Sequence, residues 1–338
     1  MIIYPSLKEH ATIGVTAPSS GVQPELHELI RQAAKRLQAE GFGVATGDTV
    51  WTQHKAKSAP AAVRAAEWMD MMTDEAIDVI IPPWGGELLI ELLPFIDFSA
   101  LRSKWLLGYS DTSALLLAVT LATGIATAHG TNLIDLRGEE SDATTAEWLN
   151  ALRTPPGGTI VQHSSERYQK EWNFDAPSPC VFHLTEPTVW KTASGGPVRI
   201  EGRLLGGCID IIRHLVGTPY GNVAAFVRER LENEPIVWYF ENCDSKTTDL
   251  RRTLVQMRLA GWFDRCSGIL FGRSEANQPV EGYAVEDVYR EISEEVGVPL
   301  IYDIDCGHVP PQITFINGAY AEIEAAGGQG TVTQHFRP

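Results

Sequence analysis

Short apolar runs alternate with helical periods through the first half of the chain. Residues 12–17, 42–45, 77–81 and 105–107 are brief apolar, partly β-branched runs, and each predicts a strand. Between them, Leu26, Leu29, Ile30, Ala33 and Leu37 recur at helical spacing, with Gly41 placed to end the helix. Ser58 is the predicted N-cap of a second helix, with Pro60 in its first turn and an end near Met72. Residues 88–93 and the apolar run 113–121 predict two further helices. Strand–helix alternation of this kind predicts a parallel sheet. Because βαβ crossovers keep all strand ends on one side, the loops 18–21, 82–87 and 108–111 should share one sheet edge.

Beyond Ala128 the pattern loosens. A helix is expected at 144–152, and the cluster Pro155–Pro156–Gly157–Gly158 then breaks regular structure. Residues 154–196 carry Pro177, Pro179 and Pro187 beside the aromatics Tyr168, Trp172, Phe174 and Trp190, and read as a linker plus a flap. Regular patterning resumes near Val198. Strands are predicted at 198–205, 235–240, 266–271 and 300–304, and helices at 209–215, from Thr247 or Thr248 to Leu259, and at 285–296. Asn317–Gly318 is a strong two-residue turn signal, so 313–316 and 319–323 are expected to form a hairpin. The reading is therefore an α/β chain of two domains, 1–153 and 197–338, joined by 154–196.

Composition narrows the partners. The chain has 338 residues, enough for two ordinary domains, and 44% apolar against 21% charged content marks it as globular. A net charge of −16 argues against nucleic acid or an anionic membrane as partner, although not against a nucleotide-sized ligand. The N-terminus lacks the basic and apolar regions of a signal peptide, and the longest apolar stretch, 114–128, is too short to span a bilayer. A cytoplasmic location is expected. The cysteines Cys180, Cys208, Cys243, Cys266 and Cys306 are odd in number and widely spaced, as reduced thiols are. No Cys/His pair falls at ligand spacing, so no metal and no cofactor is expected.

Candidate chemistry centres on Gly108–Tyr109–Ser110–Asp111. A buried strand, a sharp turn with a serine at its tip, and a helix make the geometry of a nucleophile elbow, which exposes the hydroxyl above the sheet. The second glycine of the usual signature is absent, and Thr112 stands in its place. The same tetrapeptide also serves ordinary capped strand-to-helix turns. Gly85–Gly86, after a buried strand, could bring backbone N–H groups to a substrate carbonyl. A serine needs a base, and the base an orienting acid. His308, between a glycine and two prolines at a strand end, is the favoured base; His129 is its rival, and His214 reads as structural. Glu241, which ends a buried strand, is the favoured acid, with Asp244, Asp303 and Asp305 as rivals.

Five blocks then fall in order over residues 13–323: Gly85–Gly86, Gly108–Asp111, Gly202–Gly207, Phe240–Glu241–Asn242 and Gly307–His308. The set resembles the LD-carboxypeptidase family of serine peptidases, which includes muropeptide carboxypeptidases and microcin C7 self-immunity proteins. The resemblance implies a flavodoxin-like N-terminal domain carrying the nucleophile and a smaller, swivelling α/β domain supplying acid and base. It implies Ser110 as nucleophile, Glu241 as acid, His308 as base, and the N–H groups of Gly86 and Asp111 as oxyanion hole. It also implies a homodimer. Gly85, Trp172, Trp190, Cys208 and Lys246 are the candidate substrate contacts, although 188–190 reads as the start of a strand, where a Trp usually packs, and Lys246 as a solvated lysine at a helix start. One block departs from the family: its Gly–Gly pair is commonly followed by Asn, and here Cys208 stands there. The aromatic-bearing 163–190 segment and Phe240–Asp244 look more like the self-immunity branch, which cleaves the amide joining an acidic amino acid to a nucleotide-like group. The alternatives are release of a terminal D-alanine from a murein peptide and, in another class, a non-catalytic small-molecule binding protein.

Overall fold

The computed structural model describes residues 1–170, 180–232 and 234–338. In the first half, β1 (Thr12–Val15), β2 (Gly43–Thr46), β3 (Val79–Ile80), β4 (Trp105–Gly108) and β5 (Thr127–His129) pair in parallel, in the spatial order 2-1-3-4-5. This is the flavodoxin-like order. The strand order reverses between β1 and β3, which opens a crevice at the carboxyl ends of the strands. β3 and β4 are buried throughout, as expected of strands covered on both faces.

The helix Thr112–Thr123 follows β4 directly, and every residue from Thr112 to Leu121 is buried. It is apolar all round because it packs against β4, β5 and the strand Val198–Cys208 of the second half. Gly124, at φ 78°, ends it.

The second sheet has eight strands. Val198–Cys208, Ile236–Glu241, Cys266–Gly272 and Leu300–Ile304 form its parallel centre. Antiparallel strands flank them: Tyr320–Ala326, Gln329–His335 and Thr159–His163 on one side, Lys191–Thr192 on the other. The parallel centre sends the loops after Glu241 and Ile304 to one sheet edge, toward the first domain. The segment 154–196 is thus more than a linker, since it supplies both edge strands of this sheet. Within it, Arg167–Tyr168 and Glu186–Pro187 form a small ladder of their own.

The expected hairpin at Asn317–Gly318 does not form. Phe315–Asn317 pairs antiparallel with β5 in the first sheet, whereas Tyr320–Ala326 joins the second. Asn317 is fully buried at this crossing. Its Oδ1 accepts from the Gly206 N–H (3.0 Å) and the Tyr239 hydroxyl (2.8 Å), and its Nδ2 donates to Thr127 Oγ1 (3.2 Å). The turn residues therefore tie two sheets together instead of closing one ribbon.

Smaller departures have similar causes. Ser58 donates to the Ala17 carbonyl (2.7 Å) rather than capping, and Pro60 takes the N-cap of the helix Ala61–Thr73. Residues Leu89–Phe95 form a 3₁₀ helix interrupted by Pro94. Lys246, not a threonine, is the N-cap of Thr247–Leu259. No helix among the described residues is long and apolar enough to cross a membrane.

Candidate active site

Ser110 sits at φ 64°, in the left-handed region that a side chain with a Cβ adopts at a cost. The helix begins two residues later, at Thr112. This kink lifts the hydroxyl off the end of β4. Gly85 lies so close that a Cβ there would stand 2.6 Å from Ser110 Oγ. Only glycine lets the loop after β3 approach the serine at that distance. Gly86, at φ 146°, completes the turn.

Asp111 locks the three crevice loops together. Its carboxylate is buried and accepts from the Leu89 N–H (2.9 Å) and from the Ser19 hydroxyl of the loop after β1. Burial raises its pKa, and the bonds from Ser19 and Leu89 partly oppose the rise.

Across the cleft, His308 Nε2 lies 3.1 Å from Ser110 Oγ, and its Nδ1 lies 2.8 Å from Glu241 Oε2. With Nδ1 carrying the proton toward the carboxylate, Nε2 presents its lone pair to the serine hydroxyl. Glu241 is wholly buried at the end of its strand. Gly307, at φ 94°, passes directly over it, and a Cβ at Gly307 would come within 2.4 Å of the Glu241 Cβ. Burial pulls the His308 pKa down, but the charge and hydrogen bond of Glu241 outweigh it and leave the imidazole above its ordinary value. Burial likewise raises Glu241, and the attraction of His308 overcomes it, so the carboxylate stays below its ordinary value.

The His308 loop is held from behind by a buried ion pair. Arg273 Nη2 lies 2.8 Å from Asp305 Oδ1, and both side chains are almost wholly buried. Asp305 also accepts from the Ser165 N–H (3.1 Å) and the Trp190 indole N–H (2.8 Å), while Arg273 reaches the carbonyls of Val309 and Pro311 (3.4 and 3.5 Å).

An open cleft of about 410 Å³ leads to Ser110 and His308. Ser20, Gly21, Gln53, Trp84, Gly85 and Gly86 are among the residues that line it. Trp84 donates its indole N–H to the carbonyls of Ser20 and Gly21 (both 3.2 Å) and so presents a fixed ring. Neither Trp84 nor Arg273 stood out in the sequence. Trp84 sat beside the Gly–Gly signal and could have been found there; Arg273 carries no local signal.

The structure brings Ser110, Glu241, His308, Gly85, Gly86 and Asp111 together at this cleft. Cys208 ends its strand in register with Glu241 and is buried. Lys246 stands exposed at a helix start. Trp172 lies outside the described residues. Trp190 is not at the cleft: it is 3% exposed, packed over Gly330 and bonded to Asp305, and its place is in the core. The rivals also have other partners. His129 is fully buried, its Nδ1 lies 4.0 Å from Cys306 Sγ, and burial drives its pKa down to about 4. Asp303 pairs with Lys191, Asp305 with Arg273, and Asp244 is exposed.

A hydroxyl on a strained elbow, hydrogen-bonded to an imidazole above a parallel α/β sheet, is the arrangement of hydrolases that work through serine. Comparison with known proteins agrees and makes it more specific. Residues 13–130 match the model of the LD-carboxypeptidase N-terminal domain, and residues 201–323 that of the LD-carboxypeptidase C-terminal domain. The chain belongs to the LD-carboxypeptidase family and is a hydrolase of the serine peptidase type. It is 24% identical to the microcin C7 self-immunity protein MccF of Escherichia coli, over 96% of this chain and 94% of that one. It is 25% identical to a protein named probable murein peptide carboxypeptidase in Bacillus subtilis, over 95% and 91%. Its fold superposes on MccF in complex with glutamyl sulfamoyl guanosine at a TM-score of 0.84, with 20% identity and full coverage of both chains. An MccF-like protein of Streptococcus pneumoniae in complex with AMP gives 0.77 at 20% identity, over 96% of this chain and 99% of that one.

Proposed function

We propose that Ser110, His308 and Glu241 act as nucleophile, base and orienting acid in amide hydrolysis. The observation that carries this reading is the continuous hydrogen-bonded line from Ser110 Oγ through both imidazole nitrogens to a buried carboxylate. Ser110 Oγ attacks the scissile carbonyl carbon while His308 Nε2 takes its proton. Glu241 keeps Nδ1 protonated and stabilises the imidazolium. The N–H groups of Gly86 and Asp111 receive the oxyanion. His308 then gives its proton to the leaving nitrogen, and water resolves the acyl-enzyme by the same steps in reverse.

The substrate we favour is an amide between an acidic amino acid and a nucleotide-like group. Support comes from the relatives: MccF is named for microcin C7 self-immunity, and its structures hold aspartyl sulfamoyl adenosine and glutamyl sulfamoyl guanosine. Lys246 would meet the phosphate or sulfamate, and Trp172 would stack on the base. A second reading, release of terminal D-alanine from a murein peptide, is supported by the Bacillus relative's name. Incubation with an aminoacyl-sulfamoyl adenosine and, separately, with a murein tetrapeptide, with products identified by mass, decides between them. Trp172→Ala should weaken handling of the adenosine substrate about ten- to a hundredfold, since stacking is worth roughly 1–3 kcal/mol per base, and should leave the peptide unaffected. Equal loss on both would remove Trp172 from base recognition. A homodimer belongs to the same reading and is checked by light scattering.

A further inference from the structure

Two thiols stand beside the acid of the proposed triad. Cys208 ends the strand that pairs with the Glu241 strand, directly in register with Glu241, and Cys243 follows Glu241 by two residues. Their sulfurs are 3.5 Å apart. The Cys208 thiol also lies 3.9 Å from Asp210 Oδ2, to which it donates. We propose that Cys208 and Cys243 are a peroxide-sensitive dithiol whose oxidation to a disulfide displaces Glu241 and switches the site off. This rests on the triad reading given above.

The chemistry assigns each sulfur a part. Cys243 is partly exposed and meets the oxidant; Cys208 is fully buried and resolves. The Cys243 sulfur attacks one oxygen of hydrogen peroxide, the O–O bond breaks, and a sulfenic acid and one water result. The Cys208 sulfur then displaces the sulfenic oxygen, forming the S–S bond and releasing a second water. Two thiols are oxidised and one peroxide is reduced, with no other reactant needed.

Closure requires the sulfurs to approach to about 2.0 Å, a movement of roughly 1.5 Å shared between a Cys243 rotation and its loop. That loop is otherwise well held. Asp210 accepts from the N–H groups of Cys243 (2.8 Å) and Asp244 (3.3 Å), and from the Ser245 hydroxyl. These bonds fix the Asp210 carboxylate beside the pair, with the Cys208 sulfur nearer to Cys243 (3.5 Å) than to Asp210 Oδ2 (3.9 Å). Tightening the loop pulls on the backbone two residues from Glu241, and so on the carboxylate that holds His308 Nδ1. Cys208 is pushed up by burial. Cys243 is raised as well: the Cys208 contact favours its thiolate, but burial and the charges of Glu241 and Asp210 prevail. Thiolate is scarce in both, so oxidation calls for excess peroxide.

The test treats the reduced protein with excess hydrogen peroxide, caps remaining thiols by alkylation, and maps crosslinked peptides by mass. The expected result is a Cys208–Cys243 crosslink. Turnover should fall by about a hundredfold as the crosslink forms, the loss that a shift of about 1 Å at a catalytic group can produce, and return with dithiothreitol. Cys243→Ser should keep its turnover through the same treatment. The proposal is overturned by absence of the crosslink, by a crosslink that leaves turnover unchanged, or by equal inactivation of Cys243→Ser. Absence of turnover in the untreated, reduced protein would instead refute the function proposed for the site, while the peptide map still decides whether the pair joins.

Discussion

The two sides of the cleft are built by opposite means. On the serine side, fourteen consecutive residues from Trp105 to Ala118 supply a strand, a turn and a helix, and the strain sits in one backbone angle at Ser110. On the histidine side, Glu241 ends one strand and His308 lies in the loop after another, 67 residues on in sequence. The loop that carries His308 is fixed through its own Asp305 by Arg273, Ser165 and Trp190, drawn from three other stretches of the chain. The proposed nucleophile is thus placed by local covalent geometry, whereas its proposed base depends on long-range polar packing. Damage should follow the same division: backbone changes break the first side, and loss of one buried charge breaks the second.

The largest effect expected is that of Ser110→Ala. Turnover should fall on the order of 10⁴-fold or more with the fold intact, and His308→Ala added to it should cost almost nothing further, because such groups act as a unit. Steady-state kinetics with circular dichroism reads both; additive losses would separate the serine from the histidine.

Next comes Arg273→Ala, which strands the Asp305 carboxylate in the core. Breaking a buried pair from one side costs about 3–5 kcal/mol, read by urea unfolding. The loss of activity should fall on kcat more than on KM, since the substrate cleft is untouched. An unfolding midpoint equal to wild type would show that the His308 loop does not lean on this pair.

Gly85→Ala tests the other side. Its Cβ would sit 2.6 Å from Ser110 Oγ, so the serine must move. A displacement of about 1 Å there should cost on the order of 10²-fold in kcat. Unchanged kinetics would mean that the close approach of the two loops has no catalytic weight.

Much of this organisation was legible in the chain, and the limit falls where the comparison puts it. The strand–turn–helix at Ser110, the Gly–Gly loop and the parallel sheet follow from local periodicity and punctuation. Phe315–Asn317 misled because Asn–Gly signals a turn without saying which sheet each arm joins. Trp190 packs, as its place at a strand start suggests, but its partner Asp305, 115 residues away, is not legible along the chain. Arg273 was silent for the same reason: a buried charge pair leaves no pattern along the chain.

The smallest effect is a shift in pH dependence. Glu241 holds the His308 pKa above that of a free imidazole, so activity should fall with decreasing pH at a higher pH than an isolated histidine would give. Glu241→Gln removes the charge responsible. In the activity that remains, the acid limb of kcat/KM should move to lower pH. An unmoved limb would mean that another group sets it.

The central claim is that Ser110 becomes acylated. Rapid acid quenching of the enzyme during turnover of its substrate, followed by peptide mass mapping, reads this directly. The account predicts an adduct with the mass of the acyl half of the substrate on the peptide bearing Ser110, absent from Ser110→Ala. Turnover that persists in Ser110→Ala, with no adduct on the wild-type peptide, would contradict it.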